Sequence, residues 1–128
     1  MNLLVLGLLA LGVGASQEVS PKPTDAFKEG VVMLRVVNTV EARMRGAGGT
    51  FVPLAEVLEA PMLKSSFSEA SLTEPTRALI VGRSLVLVLA EDRKHYQAMV
   101  SPAEQCGIGV FTNESGLIYS GRALGCEK

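Results

Sequence analysis

The amino-acid sequence predicts an α+β fold in which a long N-terminal helix packs on an antiparallel sheet of about four strands. Two observations lead to this prediction. Apolar residues recur at spacings of three and four over residues 25–45, which is the period of a helix with one apolar face. After residue 77, short apolar segments with a period of two alternate with turn-forming residues, as in successive strands. A helix followed by such strands is typical of domains in which the helix covers one face of the sheet.

The first 24 residues are predicted to precede the folded domain. Residues 3–15 carry no charge but are shorter than the roughly 20 apolar residues that span a membrane. They are typical of a secretory signal peptide, whereas the proline-containing segment 16–24 predicts a linker. We therefore expect a signal peptide at 1–15, a linker at 16–24 and one globular domain at 25–128, in an exported protein of the periplasm or the extracellular space. The alternative is that residues 1–15 are retained as an N-terminal membrane anchor.

The helix over residues 25–45 has the clearest pattern. Its apolar face consists of Phe27, Val31, Leu34, Val37, Val40 and Met44. Glu41 and Arg45 lie four positions apart in the order that favours an ion pair on a helix surface. Three glycines between positions 46 and 49 then end the helix.

Two less regular segments follow the helix. Residues 51–59 predict a short second helix, because Pro53 suits a first helical turn and apolar residues follow it at helical spacing. Pro61 is expected to end this helix. Residues 64–76 are predicted to be a polar loop.

The second half of the domain is predicted to be strands. The segments are 78–81, 84–90, 95–100, 108–112 and 117–120, with a turn at 113–116 between the last two. Segment 84–90 has Leu85, Leu87 and Leu89 on one face and Val86 and Val88 on the other. A strand that is apolar on both faces is predicted to be central, or to meet another element or subunit with its second face. We expect that second face to be the functional surface.

The cysteines support export. Cys106 and Cys126 are the only two in the chain, so an exported protein can form one intramolecular disulfide with them. Such a bond closes a loop of about 20 residues and stabilises the fold by roughly 3 kcal/mol. The alternative is two free thiols. A Cys/His zinc site would lack ligands, because the chain has a single histidine.

The residues predict no catalytic, cofactor-binding or metal-binding site. A Ser-His-Asp arrangement would have to use His95 with Asp25 or Asp92, and an exposed residue at a strand edge is the simpler interpretation. Tyr96 and Tyr119 are expected to pack within strands. Twelve Lys and Arg residues against thirteen Asp and Glu residues give a net charge of −1, which argues against nucleic-acid binding.

Four short segments of the predicted domain carry a resemblance to a known family. They are Leu34–Glu41, Gly49–Phe51 with Leu54 and Leu58, Tyr96 with Ala98 and Pro102, and Phe111–Ile118. In this order they resemble the LRxxNTxE helix segment, the GxF…LxxL link, the strand and proline before the last hairpin, and the FxDxSGxI hairpin of bacterial type IV pilin-like proteins. The cysteine pair is similar to the pilin disulfide loop. The chain lacks the prepilin leader and the apolar half-helix of pilins, and Asn113 stands where the hairpin usually has Asp.

The resemblance implies a globular pilin-like head rather than a self-assembling major pilin. The expected function is that of an exported, non-enzymatic interaction protein, associated with a pilus or a secretion system and without a cofactor. Its partner is expected to be a protein of that machinery, bound near the 84–100 hairpin or the 62–76 loop, with no nucleic acid and no stable membrane span once the signal is cleaved. The alternative is a small secreted hydrolase, or an enzyme-inhibitor-like binding module, in which His95 or an exposed loop acts.

Overall fold

The computed structural model describes residues 25–46, 48–102 and 106–122. The predicted signal peptide, the linker and Cys126 lie outside these residues. The helices are α1 (Asp25–Met44), α2 (Leu54–Glu59) and α3 (Pro61–Ser66). The strands are β1 (Ala70–Glu74), β2 (Arg77–Ile80), β3 (Arg83–Leu89), β4 (Tyr96–Val100), β5 (Ile108–Asn113) and β6 (Ile118–Arg122).

The six strands form one sheet in the order β1-β2-β3-β4-β5-β6, and each strand runs antiparallel to the next. The predicted arrangement of a long N-terminal helix on about four strands is therefore wrong. The sheet has six strands, and α1 begins at Asp25 and so is not N-terminal in the chain. The molecule is an α+β domain in which α1 lies against β4 and β5, while α2 contacts β1 and β3.

The strand β1 is the main element that the sequence does not predict. The predicted loop over 64–76 contains the end of α3 and all of β1. Every residue of β1 is exposed, so hydrophobic alternation does not mark this strand. It is held as an edge strand by its pairing with β2, in which Ala70 lies opposite Ile80. Pro61, which was expected to end a helix, lies in the first turn of α3, where its missing N–H costs no hydrogen bond.

The core lies between α1 and the inner face of the sheet. Its fully buried side chains include Met33, Leu34 and Val37 of α1, Leu85 and Leu87 of β3, and Val100 and Val110 of β4 and β5. Gly30 permits close packing here, because a Cβ at this position would lie 3.0 Å from Val110 Cγ2 and 3.4 Å from Val100 Cγ1. The described helices pack on this inner face, and none of them covers the opposite face of β3 to β6.

The β2–β3 turn contains a strained residue whose replacement should stabilise the fold. Val81 and Gly82 connect Ile80 to its partner Arg83, and both have positive φ (51° and 77°), as in a type I′ turn. Positive φ is unfavourable for a β-branched side chain but is tolerated by asparagine. We expect Val81→Asn to raise the free energy of unfolding by about 1 kcal/mol, measured by urea denaturation. A lower stability of the variant would contradict this account of the turn.

Candidate functional site

The outer face of the sheet carries a row of apolar side chains. On β4, Met99 lies opposite Val86 on one side and opposite Phe111 on the other. Phe111 in turn lies opposite Tyr119 on β6. Residues that face each other across a sheet have Cβ atoms about 5 Å apart, so these side chains form one continuous strip. We call this strip, together with Val88 on β3, the outer patch.

The outer patch is accessible. Its exposed fractions are 47% for Val88, 42% for Met99 and 44% for both Phe111 and Tyr119. The rings of Phe111 and Tyr119 stack with their centroids 5.7 Å apart, so they present one broad aromatic surface. The patch lines a shallow depression of about 480 Å³. Such a surface is preformed, because it is held by the hydrogen-bonded strands and not by a loop.

Polar side chains border the outer patch. Gln97 and Asn113 face each other on one side. At the β2 end, Arg77 lies opposite Val86, with its Nε 3.8 Å from Glu74 Oε1. On this border the cation Arg77 and the anion Glu74 pair with each other. The surroundings of the patch therefore favour a partner that is apolar and uncharged over the contact area.

The sequence predicts part of this surface. The second face of segment 84–90 was expected to be functional, and its residues Val86 and Val88 do lie on the outer patch. Tyr119 was expected to pack within a strand; it lies in β6 and stacks on Phe111 of the neighbouring strand, with 44% of its surface still exposed. Phe111 was assigned only to a resemblance motif. In the structure Phe111 lies between buried Val110 and Thr112, which places its ring on the outer face; the sequence Val-Phe-Thr alone does not decide between the two faces.

Glu41 forms a second unusual feature, on the inner side of α1. It was expected to pair with Arg45 on the helix surface, but its side chain is fully buried. Its Oε1 accepts the backbone N–H of Val52 at 2.8 Å, while its Oε2 has no hydrogen-bond partner among the described residues. Burial raises the pKa of this carboxyl to about 7; the bond from Val52 opposes the rise, and the charge of Glu56 adds to it.

Arg45 has other partners. Its Nε donates to the Gly49 carbonyl at 3.3 Å, and its guanidinium lies 5.2 Å from the centre of the Phe51 ring. Phe51 also packs edge-on against buried Tyr96, with centroids 4.8 Å apart. Glu41 and Arg45 therefore do not form the predicted pair. Glu41 binds Val52 and Arg45 binds Gly49, so each separately attaches the end of the helix to the segment that follows it.

A partly buried polar network connects α1 to the β5–β6 hairpin, which carries Phe111 and Tyr119 of the outer patch. The Tyr96 hydroxyl donates to Asn38 Oδ1 at 2.6 Å, and Asn38 Nδ2 donates to Thr112 Oγ1 at 3.0 Å. Thr112 Oγ1 donates to the Leu117 carbonyl at 2.6 Å. Burial, followed by the charges of Glu41 and Glu114, raises the pKa of Tyr96 to about 12, so this hydroxyl remains a donor at neutral pH. The network fixes the β5–β6 hairpin relative to the core.

His95 pairs with Glu114, which was not among the acids considered for a Ser-His-Asp arrangement. Its Nδ1 lies 3.0 Å from Glu114 Oε2, and Glu114 Oε1 accepts the Tyr96 N–H at 3.2 Å. The hydrogen bond with His95 lowers the pKa of the Glu114 carboxyl. Asp92 accepts the N–H of Lys94 within its own turn, and the Asp25 side chain lies outside the described part of the chain. The His95 side chain is 63% exposed, which is the position expected for it at a strand edge.

The remaining features concern the cysteines, metal ligands and membrane spans. Cys106 precedes β5, while Cys126 lies outside the described residues, so the disulfide stays a prediction. Within residues 25–46, 48–102 and 106–122, no group of three or more His, Cys, Asp or Glu side chains could hold a metal ion. None of the helices in this part of the chain has the length and apolar character needed to cross a membrane.

Comparison of the chain with protein-family models, curated proteins and solved structures finds no match.

Proposed function

We propose that this chain is an exported, non-enzymatic, pilin-like interaction protein that binds a protein of a pilus or secretion system through its outer patch. The observation that carries the proposal is the patch itself. Contiguous apolar surface is uncommon on a monomeric protein and is typical of protein–protein interaction sites. Aromatic residues and methionine are also the residue types enriched at interface centres.

The size of the patch limits how strongly it can bind alone. Its five side chains expose on the order of 300 Å² in total, and burying this area is worth about 8 kcal/mol at 25 cal/mol per Å². Association itself costs about 4–15 kcal/mol in lost translational and rotational freedom. The two terms are of similar size, so hydrogen bonds from the bordering side chains Gln97, Asn113 and Arg77 are expected to strengthen a complex. The partner should present an apolar centre with polar groups around it.

The proposal is tested by photocrosslinking in cells that produce the protein naturally. A photoreactive amino acid is placed at Met99 in the outer patch, or at Val32, which is equally exposed on α1. We expect crosslinks from position 99 to one component of a pilus or secretion system, and none to that component from position 32. Equal crosslinking from both positions, or none from position 99, would remove the outer patch as the binding surface.

Export has its own test. If the signal peptide is cleaved as predicted, the intact mass of the protein recovered from outside the cytoplasm corresponds to a chain that begins at Ser16. If Cys106 and Cys126 are bonded, thiol alkylation changes the mass only after reduction. A full-length chain in the membrane fraction would replace the signal peptide with an anchor, and alkylation without reduction would show free thiols.

A further inference from the structure

Glu41 joins α1 to the segment that leads into α2. We propose that the carboxyl of Glu41 and the backbone N–H of Val52 form a protonation-controlled latch, which holds residues 48–53 against the core when Glu41 is protonated and releases them when it is ionised. The latch is a property of the folded chain and does not depend on the proposed partner.

The geometry places an ionisable group where its charge has no compensation. One oxygen of Glu41 accepts the Val52 N–H, and the other is buried without a partner in the described part of the chain. A neutral carboxyl, with its proton on Oε2, leaves one buried O–H donor unsatisfied, whereas a carboxylate leaves a buried charge with a single hydrogen bond, which costs more. Ionisation therefore favours any local movement that brings water to Oε2.

The surrounding groups do not stabilise the charge. Arg45, which directly follows α1, is directed to the Gly49 carbonyl and the Phe51 ring. From α2, Glu56 repels a carboxylate at position 41. From β4, Tyr96 is neutral at physiological pH, and its own pKa is raised by the charge of Glu41. The pKa of Glu41, about 7 in the folded protein, agrees with this arrangement.

The segment that would be released is also held by Arg45, which contacts the Gly49 carbonyl and the Phe51 ring, and by two contacts of Phe51. The Phe51 N–H donates to the Arg93 carbonyl at 2.7 Å, and the buried Phe51 ring packs against Tyr96. Gly49 has a φ of 74°, a conformation suited to a bend at the start of the segment. Release would therefore expose Phe51 and loosen the β3–β4 turn at Arg93, so that a rise in pH uncovers an aromatic side chain.

Linkage fixes the direction and size of the effect. A carboxyl whose pKa is raised in the closed state favours closure fully below its ordinary pKa of 4.5, and this contribution is lost as the pH rises through about 7. With these two values, the equilibrium for closure weakens by about 70-fold between pH 5 and pH 8.

The test is hydrogen exchange at the Val52 amide, followed by NMR from pH 5 to pH 8 and corrected for intrinsic exchange. In the wild-type chain we expect protection at Val52 to fall by about 70-fold and to lie below that of the core strand β3 at every pH, because the latch opens without global unfolding. Equal protection at Val52 and β3 would mean that this amide exchanges only through global unfolding, and would overturn the proposal. In Glu41→Gln, protection at Val52 should be independent of pH. Unchanged protection in the wild type, or the same fall in both chains, would overturn the proposal.

A second measurement keeps the proposal testable if Glu41→Gln does not fold. The carboxyl carbon of Glu41 is titrated by NMR in the wild-type chain. A midpoint near pH 7 that coincides with the loss of Val52 protection supports the latch. A midpoint below pH 5 would overturn it.

Discussion

The double substitution Phe111→Ser and Tyr119→Ser is expected to weaken partner binding by at least about 100-fold without unfolding the domain. Buried aromatic anchors at interface centres typically contribute about 2 kcal/mol or more each, and the two rings lie side by side in the outer patch. The dissociation constant for the partner found by crosslinking is measured by calorimetry for the wild type and the variant.

The fold should tolerate this change because both rings lie outside the core. Each is 44% exposed, and their main described aromatic contact is with each other. Substitutions at such surface positions usually change stability by less than about 1 kcal/mol. Circular dichroism and urea denaturation of the variant check that binding, and not folding, has been lost.

Matched controls separate the outer patch from exposed apolar residues in general. Val32→Ser on α1 and Leu117→Ser in the β5–β6 turn remove side chains that are at least as exposed as Phe111 and Tyr119. We expect both controls to bind as the wild type does. The outer patch is the wrong surface if either control loses as much affinity as the double variant, or if the double variant binds normally.

The outer patch could be predicted only in part from the sequence. The alternation in segment 84–90 separates Val86 and Val88 from the leucines of the core, because the side-chain period of a strand is two. This local pattern does not determine which strands pair with each other. That Met99, Phe111 and Tyr119 continue the strip depends on the register of three hairpins, which the turns and the core packing fix together.

The spacing of apolar residues in the helix indicates that Glu41 is buried, but the spacing from Glu41 to Arg45 indicates a surface ion pair instead. Position 41 lies seven residues after Leu34 and four residues after Val37, so it belongs to the same buried stripe as these residues. The spacing to Arg45 predicts a surface pair just as well, and propensity cannot decide between the two. Burial of Glu41 is favoured by the segment that folds back after the helix. The Val52 N–H in this segment has no partner in a described strand or helix and donates to the Glu41 carboxyl.

Glu41→Gln is expected to change the pH dependence of global stability. Because the pKa of Glu41 is raised to about 7 in the folded protein, the wild type is most stable with respect to this group below pH 4.5. It should lose about 3 kcal/mol of unfolding free energy from this group as the pH rises to 8. Glutamine keeps an acceptor for the Val52 N–H and carries no charge. The variant should therefore be about 2 kcal/mol more stable than the wild type at pH 8, after allowance for the buried amide, and equal or slightly less stable at pH 4.5.

Urea denaturation at both pH values measures this difference, with Glu59→Gln as the control. Glu59 is exposed and pairs with Lys64 at 2.8 Å, so its loss removes one negative charge but little stability. We expect the control to keep the pH dependence of the wild type. A fall in stability of Glu41→Gln at pH 8 would mean that the charged carboxylate contributes more through Val52 than its burial costs. The acid would then be a fixed structural link between α1 and the segment before α2, and ionisation would strengthen the attachment that we expect it to weaken.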